Sequence, residues 1–592
     1  MDNLRHFRHV WALDFEYTHD EGEAPEPVCM VAIDLVTGRE IRLWREELHT
    51  GCPFDTSPRA LFILFSGAGD MGCFLALGWP VPARIVDLYP ETRQRLYDRP
   101  GSPAPTLLTA AALYGVPTPM DTDHKAAMRG LIIGRTYTDA DRAPILAYCA
   151  EDARLTGEVF RAMHPELTAD LATWNGVLLR GRYTPALAAM DRTGIPIDTD
   201  SLNLAARNWA SIRGALIAEV DAAYGVYTGG SFSSAAFAVY LERHEIPWPR
   251  LPSGVLALDD STFRQRAKAF PVLANLRELR SLLGRMRAFS YAIGADGRNR
   301  AYLSPFGSVT GRNQPRSSQF IFGSARWARS FIQPEPGRAL ISLDYASQEI
   351  MVNAALSGDP AMKEVYRAGD PYITFAIMAG LAPAGATRES HPAVRKQCKA
   401  LLLGVGYGMG AEGLADSLGA PMAQARSLLQ RHKELFRVFW AWVQGIQDAA
   451  SLGAPLRTPF GWTRQVKPGA QDLNRRSFQN WPAQAASADM LRLGICMMVE
   501  RGIEVCCPVH DAVVIECAIE SAITTRDLAV QLMQDASETV LGQGNIVRVD
   551  AAVIPWLGRY HDGAAGDLWA RVMRLARRAE AEGQASAGPS FS

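Results

Sequence analysis

RKQCKALLLGVGYG, residues 395–408, places Arg395, Lys399, Leu403 and Tyr407 four apart. Residues at that spacing lie nearly one above another on an α-helix, each step drifting about 40° around the axis, so the four share one face. Two cations are followed by an apolar residue and then an aromatic ring. That order suits a ligand with many anionic oxygens at one end and a flat ring at the other, as in a nucleoside triphosphate. An amphipathic helix with a solvated basic end would read the same way. Other segments have to decide.

The chain has 592 residues, 48% hydrophobic and 21% charged, an ordinary globular composition with room for several cores. Net charge is −1, so overall charge neither announces nor excludes a nucleic-acid partner. Its distribution says more: residues 264–329 hold 13 Lys or Arg against two acids, Glu278 and Asp296. A surface of that sign attracts polyanions, and a solvated basic face is the plainer alternative. Nine cysteines include no CxxC pair, which points to a reducing compartment without a zinc site or disulfide framework. With no apolar signal core at the start, a cytosolic protein without membrane partners is expected.

Residues 1–165 alternate short apolar strands with helical stretches, as in an α/β domain, and longer helices follow. A domain boundary is expected near Pro165 and a disordered tail over 581–592. Helix should give way to a short strand at Gly194 and then to further helix.

In VWALDFEY, Asp14 and Glu16 are two apart on a strand and project from one face. Asp70 follows the apolar strand LFILFSG and would open the next helix. In ILAYCAEDARLT, Tyr148 and Asp152 share a helical face. Four carboxylates at strand and helix ends, with a tyrosine beside the last, can supply ligands for two divalent cations in phosphodiester cleavage. The ordered set resembles the proofreading 3′→5′ exonuclease domain of the DEDDy class, on an RNase H-like fold. The resemblance implies that Asp14, Glu16, Asp70 and Asp152 bind metal and that Tyr148 orients the attacking water. Asp87 falls where that family has an aspartate and is assigned no metal. Ser66 stands where family members usually carry Asn.

RALISLDYASQEI, residues 338–350, reads as an apolar strand ending in Asp344, then a helix start bearing Gln348 and Glu349. IEVCCPVHDAVVIEC, residues 503–517, reads as two strands around a tight turn at His510 and Asp511. Each acid alone has an ordinary explanation, as a helix cap or a turn residue. Together, DYASQE, the opening stretch and VHDA resemble motifs A, B and C of family A DNA polymerases. TGR at 310–312, RSFQNWPAQ at 476–484 and ALAAMDRTGIPID at 186–198 resemble further segments of that family.

The resemblance implies an α/β exonuclease domain over 1–165 followed by an α+β right-hand polymerase domain over 166–580. Within the latter, a thumb is expected at about 200–300, a palm at about 301–355 and 470–580, and fingers at about 356–469. It implies template-directed addition of dNTPs to a primer 3′ end, with proofreading. Asp344 and Asp511 would hold two Mg²⁺ ions, with Mn²⁺ as a substitute. Arg395 and Lys399 would meet the triphosphate, Tyr407 the nascent base pair, and Gln348, Glu349 and Leu403 the incoming nucleotide, Glu349 excluding a 2′-hydroxyl. Arg312, Arg476, Asn480, Gln484 and His510 would contact primer-template DNA. With no 5′-nuclease segment ahead, the layout resembles a bacteriophage replicative polymerase, which implies a monomer in the host cytoplasm and helicase and single-strand-binding partners. Ala512 replaces a third acid found in bacterial members, and Leu403 replaces Phe or Tyr. A single-subunit RNA polymerase, opposed by Glu349 and the exonuclease motifs, and a non-catalytic DNA-binding subunit, opposed by the intact Asp344 and Asp511, are the alternatives.

Overall fold

ALFIL, Ala60–Leu64, is apolar and buried at every position, as a strand covered on both faces must be. In the computed structural model, which describes residue 4 and residues 6–97, 103–118, 122–285, 289–466, 475–563 and 565–586, it belongs to a five-stranded sheet. The strand order is Glu40–Trp44, Glu26–Asp34, His9–Thr18, Ala60–Leu64, Ile85–Asp87. The first two pairings are antiparallel and the last two parallel. Helix Arg142–Leu167 packs on strands His9–Thr18 and Glu26–Asp34 and brings Tyr148 and Asp152 to the sheet.

Helix Leu171–Thr193 lies so close to the last strand that a Cβ on Gly181 would fall 1.9 Å from the Ile85 carbonyl oxygen. Only glycine permits that approach. The same helix also packs on helix Arg475–Glu500 and strand Glu504–Val509. The chain therefore does not divide into compact units at the boundary expected near residue 165. One unit comprises Met1–Gly194, Tyr302–Gln314 and Arg338–Val553, and the other Ile195–Ala301, Pro315–Gly337 and Ile554–Ser592.

A second sheet is ordered Glu504–Val509, Ala512–Ala518, Arg338–Tyr345, Val549–Pro555, and all of it but the last two residues belongs to the first unit. Its central strands are antiparallel, with Arg338 opposite Ala518 and Asp344 opposite Ala512. Val509 pairs with Ala512, so His510 and Asp511 alone form the hairpin loop. His510 has φ +57°, a left-handed conformation uncommon outside glycine and suited to such a tight turn. Buried Leu343, Ile350, Met490, Val513 and Ile515 belong to one core.

The second unit is mainly helical, and Phe237, Tyr240, Phe263 and Leu273 are buried together in it. As expected, Gly194 ends a helix at φ +62° and a two-residue strand, Ile195–Pro196, follows before helix Thr199–Arg207. The C-terminal helix Ala565–Ser586 runs past residue 581, where disorder was expected. Its Ala, Glu and Arg residues are strong helix formers, and Glu580 accepts hydrogen bonds from Arg207 (3.3 Å) and Asn208 (2.7 Å). Residues 587–592 of that expected tail lie outside the described residues. Residues 554–580, expected in a palm, fall in this second unit.

Candidate active site

Two carboxylate clusters stand in the first unit. On strand His9–Thr18, alternation puts Asp14 and Glu16 on one face, and helix Arg142–Leu167 adds Asp152. Ligand oxygens of Asp14, Glu16 and Asp152 lie within 4.8 Å of one another. Asp70, in the first turn of helix Ala68–Ala76, accepts a hydrogen bond from the Phe15 amide at 2.9 Å. Burial, then neighbouring acids, raise Asp14 strongly and push Glu16 up to about 8. Burial above all pushes Asp70 up to about 7. Like charges gathered out of water destabilise one another, and a divalent cation relieves that repulsion. Asp14 Oδ2 is buried without a hydrogen-bond partner, so the residues fit a metal.

The Tyr148 hydroxyl interacts with Asp152, and burial, then that acid, raise it well above the ordinary tyrosine range. It therefore stays protonated and donates rather than acts as a base. Asp87 accepts from the amides of Ser66 (2.8 Å), Gly67 (3.0 Å) and Tyr89 (2.9 Å), which makes it a backbone anchor. Ser66 sits at φ +61°, a conformation in which Asn is better tolerated than Ser.

Sequence reasoning missed Lys125. Its ammonium stands 2.5 Å from Asp152 Oδ1. Arg129, one turn further along helix Thr122–Ile133, is close enough to lower Glu16. The four-residue spacing of these cations was the available signal.

At the second cluster, the pairing of Asp344 with Ala512 brings Asp344 beside the turn residue Asp511. Desolvation, then Asp511, Asp550 and Glu349, raise Asp344; desolvation raises Asp511 against the lowering effect of Arg312. Asp550 was also missed: it lies on Val549–Pro555, the strand next to that of Asp344. Arg312 Nη2 donates to Asp511 Oδ1 at 2.6 Å. With its amide oriented to satisfy both atoms, Gln348 donates to the Asp511 oxygens at 3.2 and 3.1 Å. Among the described residues, the only group of three or more candidate ligands within one metal's reach is Asp14, Glu16 and Asp152. Asp344 and Asp511 are not part of such a group, and the position after Asp511 is the alanine Ala512.

The opening helix spans Pro392–Gly406, and Tyr407 is its C-terminal cap. The Tyr407 hydroxyl donates to Glu349 Oε1 at 2.8 Å, which joins this helix face to the Asp344 strand-helix segment. Arg395 pairs with Asp370 at 2.6 Å, and Arg395 and Lys399 lie 5.2 and 5.7 Å from the centre of the Tyr372 ring. Neither Asp370 nor Tyr372 was anticipated, since both belong to a separate helix cap. Leu403 is half-buried against the core. Arg476, Asn480 and Gln484 follow one another at four-residue spacing on helix Arg475–Glu500; Arg476 is exposed and the other two are half-buried, while His510 is exposed.

The basic window is less of a free cationic surface than its sequence suggests. Arg264, Arg298, Arg300 and Arg329 pair with Asp260, Glu335, Asp296 and Asp562. Arg312 pairs with Asp511, and Arg280 lies 4.0 and 4.4 Å from the ring centres of Phe232 and Phe263. Several partners come from outside the window, which a local charge count cannot see. All nine cysteines are free thiols, and no described helix is long and apolar enough to cross a membrane.

Residues 315–553 match the family model of DNA polymerase family A. The chain is 30% identical over 221 residues to the thermostable DNA polymerase I of Thermus aquaticus, covering 35% of this chain and 26% of that protein. It is 22% identical over 430 residues to DNA polymerase I of Aquifex aeolicus, covering 67% and 73%. Matches to the Thermus polymerases thus span about a quarter of their length. The fold is similar to the POL domain of Pol1 from M. smegmatis, solved in complex with DNA primer-template and dNTP, with TM-score 0.70 and 16% identity over 93% of this chain and 96% of that one.

Proposed function

Starting from the family A match, we propose that this protein is a template-directed DNA polymerase with a separate 3′→5′ hydrolytic site for proofreading. The observation that carries the reading is the convergence at the second sheet: the Asp344–Ala512 register sets Asp344 beside the Asp511 turn, and the Tyr407–Glu349 bond joins the aromatic end of the cationic helix to the same segment.

Asp344 and Asp511 would hold divalent metal, which supplies activation of the primer 3′-hydroxyl and charge neutralisation on the phosphates. Arg395 and Lys399 bind the triphosphate oxygens. To do so, Arg395 exchanges its pairing with Asp370 for phosphate, a fork-shaped cation keeping a fork-shaped anion. The Tyr407 ring covers the base, while its hydroxyl holds the Glu349 carboxylate where a 2′-hydroxyl would collide. Gln348 orients Asp511. Arg312, Arg476, Asn480, Gln484 and His510 grip primer and template mainly through backbone and shape, as a copying enzyme requires.

At the hydrolytic site, Asp14, Glu16, Asp70 and Asp152 would hold metal, which supplies an activated water. Tyr148 orients that water through its retained proton. A thumb, palm and fingers arrangement and a bacteriophage replication role, with helicase and single-strand-binding partners, follow the same reading. Primer extension with Asp344→Asn and Asp511→Asn is the test. Both should lose extension by several orders of magnitude while keeping primer-template affinity within a few-fold, because a lost ligand removes transition-state stabilisation but few backbone contacts. Near-normal extension by both variants overturns the reading.

A further inference from the structure

Residues 302–314, which end in the stretch bearing Arg312, form a constrained loop inside the first unit. Ser304 and Phe306 sit at φ +46° and +55°, conformations that cost energy for residues other than glycine. Such a segment relaxes unless its surroundings hold it. From one side, Arg492 donates to the Gly311 carbonyl at 2.6 Å, and Trp462 and Trp481 donate to that of Val309 at 3.1 and 2.9 Å. The Phe306 ring stacks on Trp462 at 5.3 Å.

From the other side the anchors belong to the N-terminal α/β fold. Arg93, on helix Leu88–Leu96, donates Nε to the Phe306 carbonyl at 2.7 Å and Nη2 to the Gly307 carbonyl at 2.8 Å. The adjoining Tyr97 hydroxyl donates to the same Phe306 oxygen at 2.5 Å. Arg93 is itself steadied by the Tyr89 hydroxyl at 3.0 Å. The Tyr302 hydroxyl at the loop's start interacts with Ser66. At the loop's far end, the Arg312 amide donates to Ser308 Oγ at 3.0 Å while its guanidinium meets Asp511.

We propose that Arg93 is a positioning residue of the polymerase site: with Tyr97 it pins the strained Phe306–Gly307 peptide and thereby holds Arg312 against Asp511. The fold that carries the hydrolytic carboxylates would then also act as a scaffold for synthesis. The role rests on the reading of Asp344 and Asp511 as the synthesis site. Arg93 lies outside the segment matched by the polymerase family model, so that match does not assign it.

The test combines Arg93→Met, Arg93→Lys and Arg312→Met in the full chain, read by primer extension and by hydrogen exchange at loop amides. Arg93→Met should lower kcat/KM for incorporation about tenfold, the kinetic equivalent of one charged hydrogen bond, and Arg93→Lys should recover some of the loss. In the Arg312→Met background the effect of Arg93→Met should vanish, which a general structural defect would not produce. Amides of Gly307, Gly311 and Gln314 should exchange faster in Arg93→Met, while those of helix Arg475–Glu500 keep their protection. Additive losses, or unchanged loop exchange, overturn the proposal. If Arg312→Met alone extends normally, Arg312 takes no part in synthesis and the positioning role of Arg93 is overturned, while the reading of Asp344 and Asp511 stands. Should Arg93→Met lose its cooperative melting transition, Tyr97→Phe, which removes one hydroxyl, takes its place with the same two readouts and the same overturning results.

Discussion

Glu91 and Arg180 form a buried ion pair that fastens helix Leu88–Leu96 to helix Leu171–Thr193. Their side chains are 2% and 4% exposed, and two bonds of 2.5 and 3.1 Å join them. Arg180 also donates to the Phe460 carbonyl at 3.2 Å, and Gln94, which donates to Glu91, accepts from the Thr463 amide at 3.0 Å. The pair therefore supports the turn carrying Trp462, the ring on which Phe306 stacks. Glu91→Gln turns an acceptor into a donor facing Arg180 and leaves that cation buried without compensation, at a cost of about 3–5 kcal/mol. The compact unit holds roughly 420 residues. An unfolding entropy of about 0.9 kcal/mol/K follows for that size, so Tm should fall by about 3–6 °C. Glu91→Leu with Arg180→Met removes both charges and should return within about 1–2 kcal/mol of wild type. Thermal and urea melts of the single and double variants give the coupling energy. A double variant losing the sum of the single effects, or Glu91→Gln melting within a degree of wild type, refutes the reasoning.

Asp14→Ala with Glu16→Ala should abolish 3′→5′ degradation of a single-stranded oligonucleotide and leave extension rates unchanged; degradation surviving in Mn²⁺ would rule out the carboxylate cluster. Because Glu16 is raised to about 8 and Asp70 to about 7, the metal-free folded protein holds protons that the unfolded chain has released, so its stability falls as pH rises from about 4.5 to 8. Mn²⁺ binding must expel those protons and should tighten over pH 6–8, read as proton release by calorimetry in two buffers; pH-independent binding would contradict the raised values. Leucine at 403 offers neither a ring against the sugar nor a hydroxyl to replace a missing 3′-hydroxyl, so wild type should reject dideoxynucleotides. Leu403→Tyr should relax that preference by about 1–3 kcal/mol in the ratio of kcat/KM values, and an unchanged ratio would mean that Leu403 does not face the sugar.

Periodicity alone determined much of the local structure. Two-residue alternation put Asp14 and Glu16 on one strand face, and four-residue spacing put Arg395, Lys399 and Leu403 on one helix face with Tyr407 at its cap. The apolar runs around His510 and Asp511 gave a hairpin whose loop is those two residues. Local geometry depends on neighbours a few bonds away, and the sequence records them directly. Partners distant in the chain were not legible. Lys125 against Asp152, Asp370 against Arg395, Asp550 beside Asp344 and Arg93 under Phe306 each depend on how separate elements pack. The charge count of residues 264–329 misled for the same reason, since Glu335, Asp511 and Asp562 neutralise arginines from outside the window. The division into compact units was likewise decided only in three dimensions: helix Leu171–Thr193 buries opposite sides against the α/β sheet and against helix Arg475–Glu500, and no composition change in the chain marks that joint.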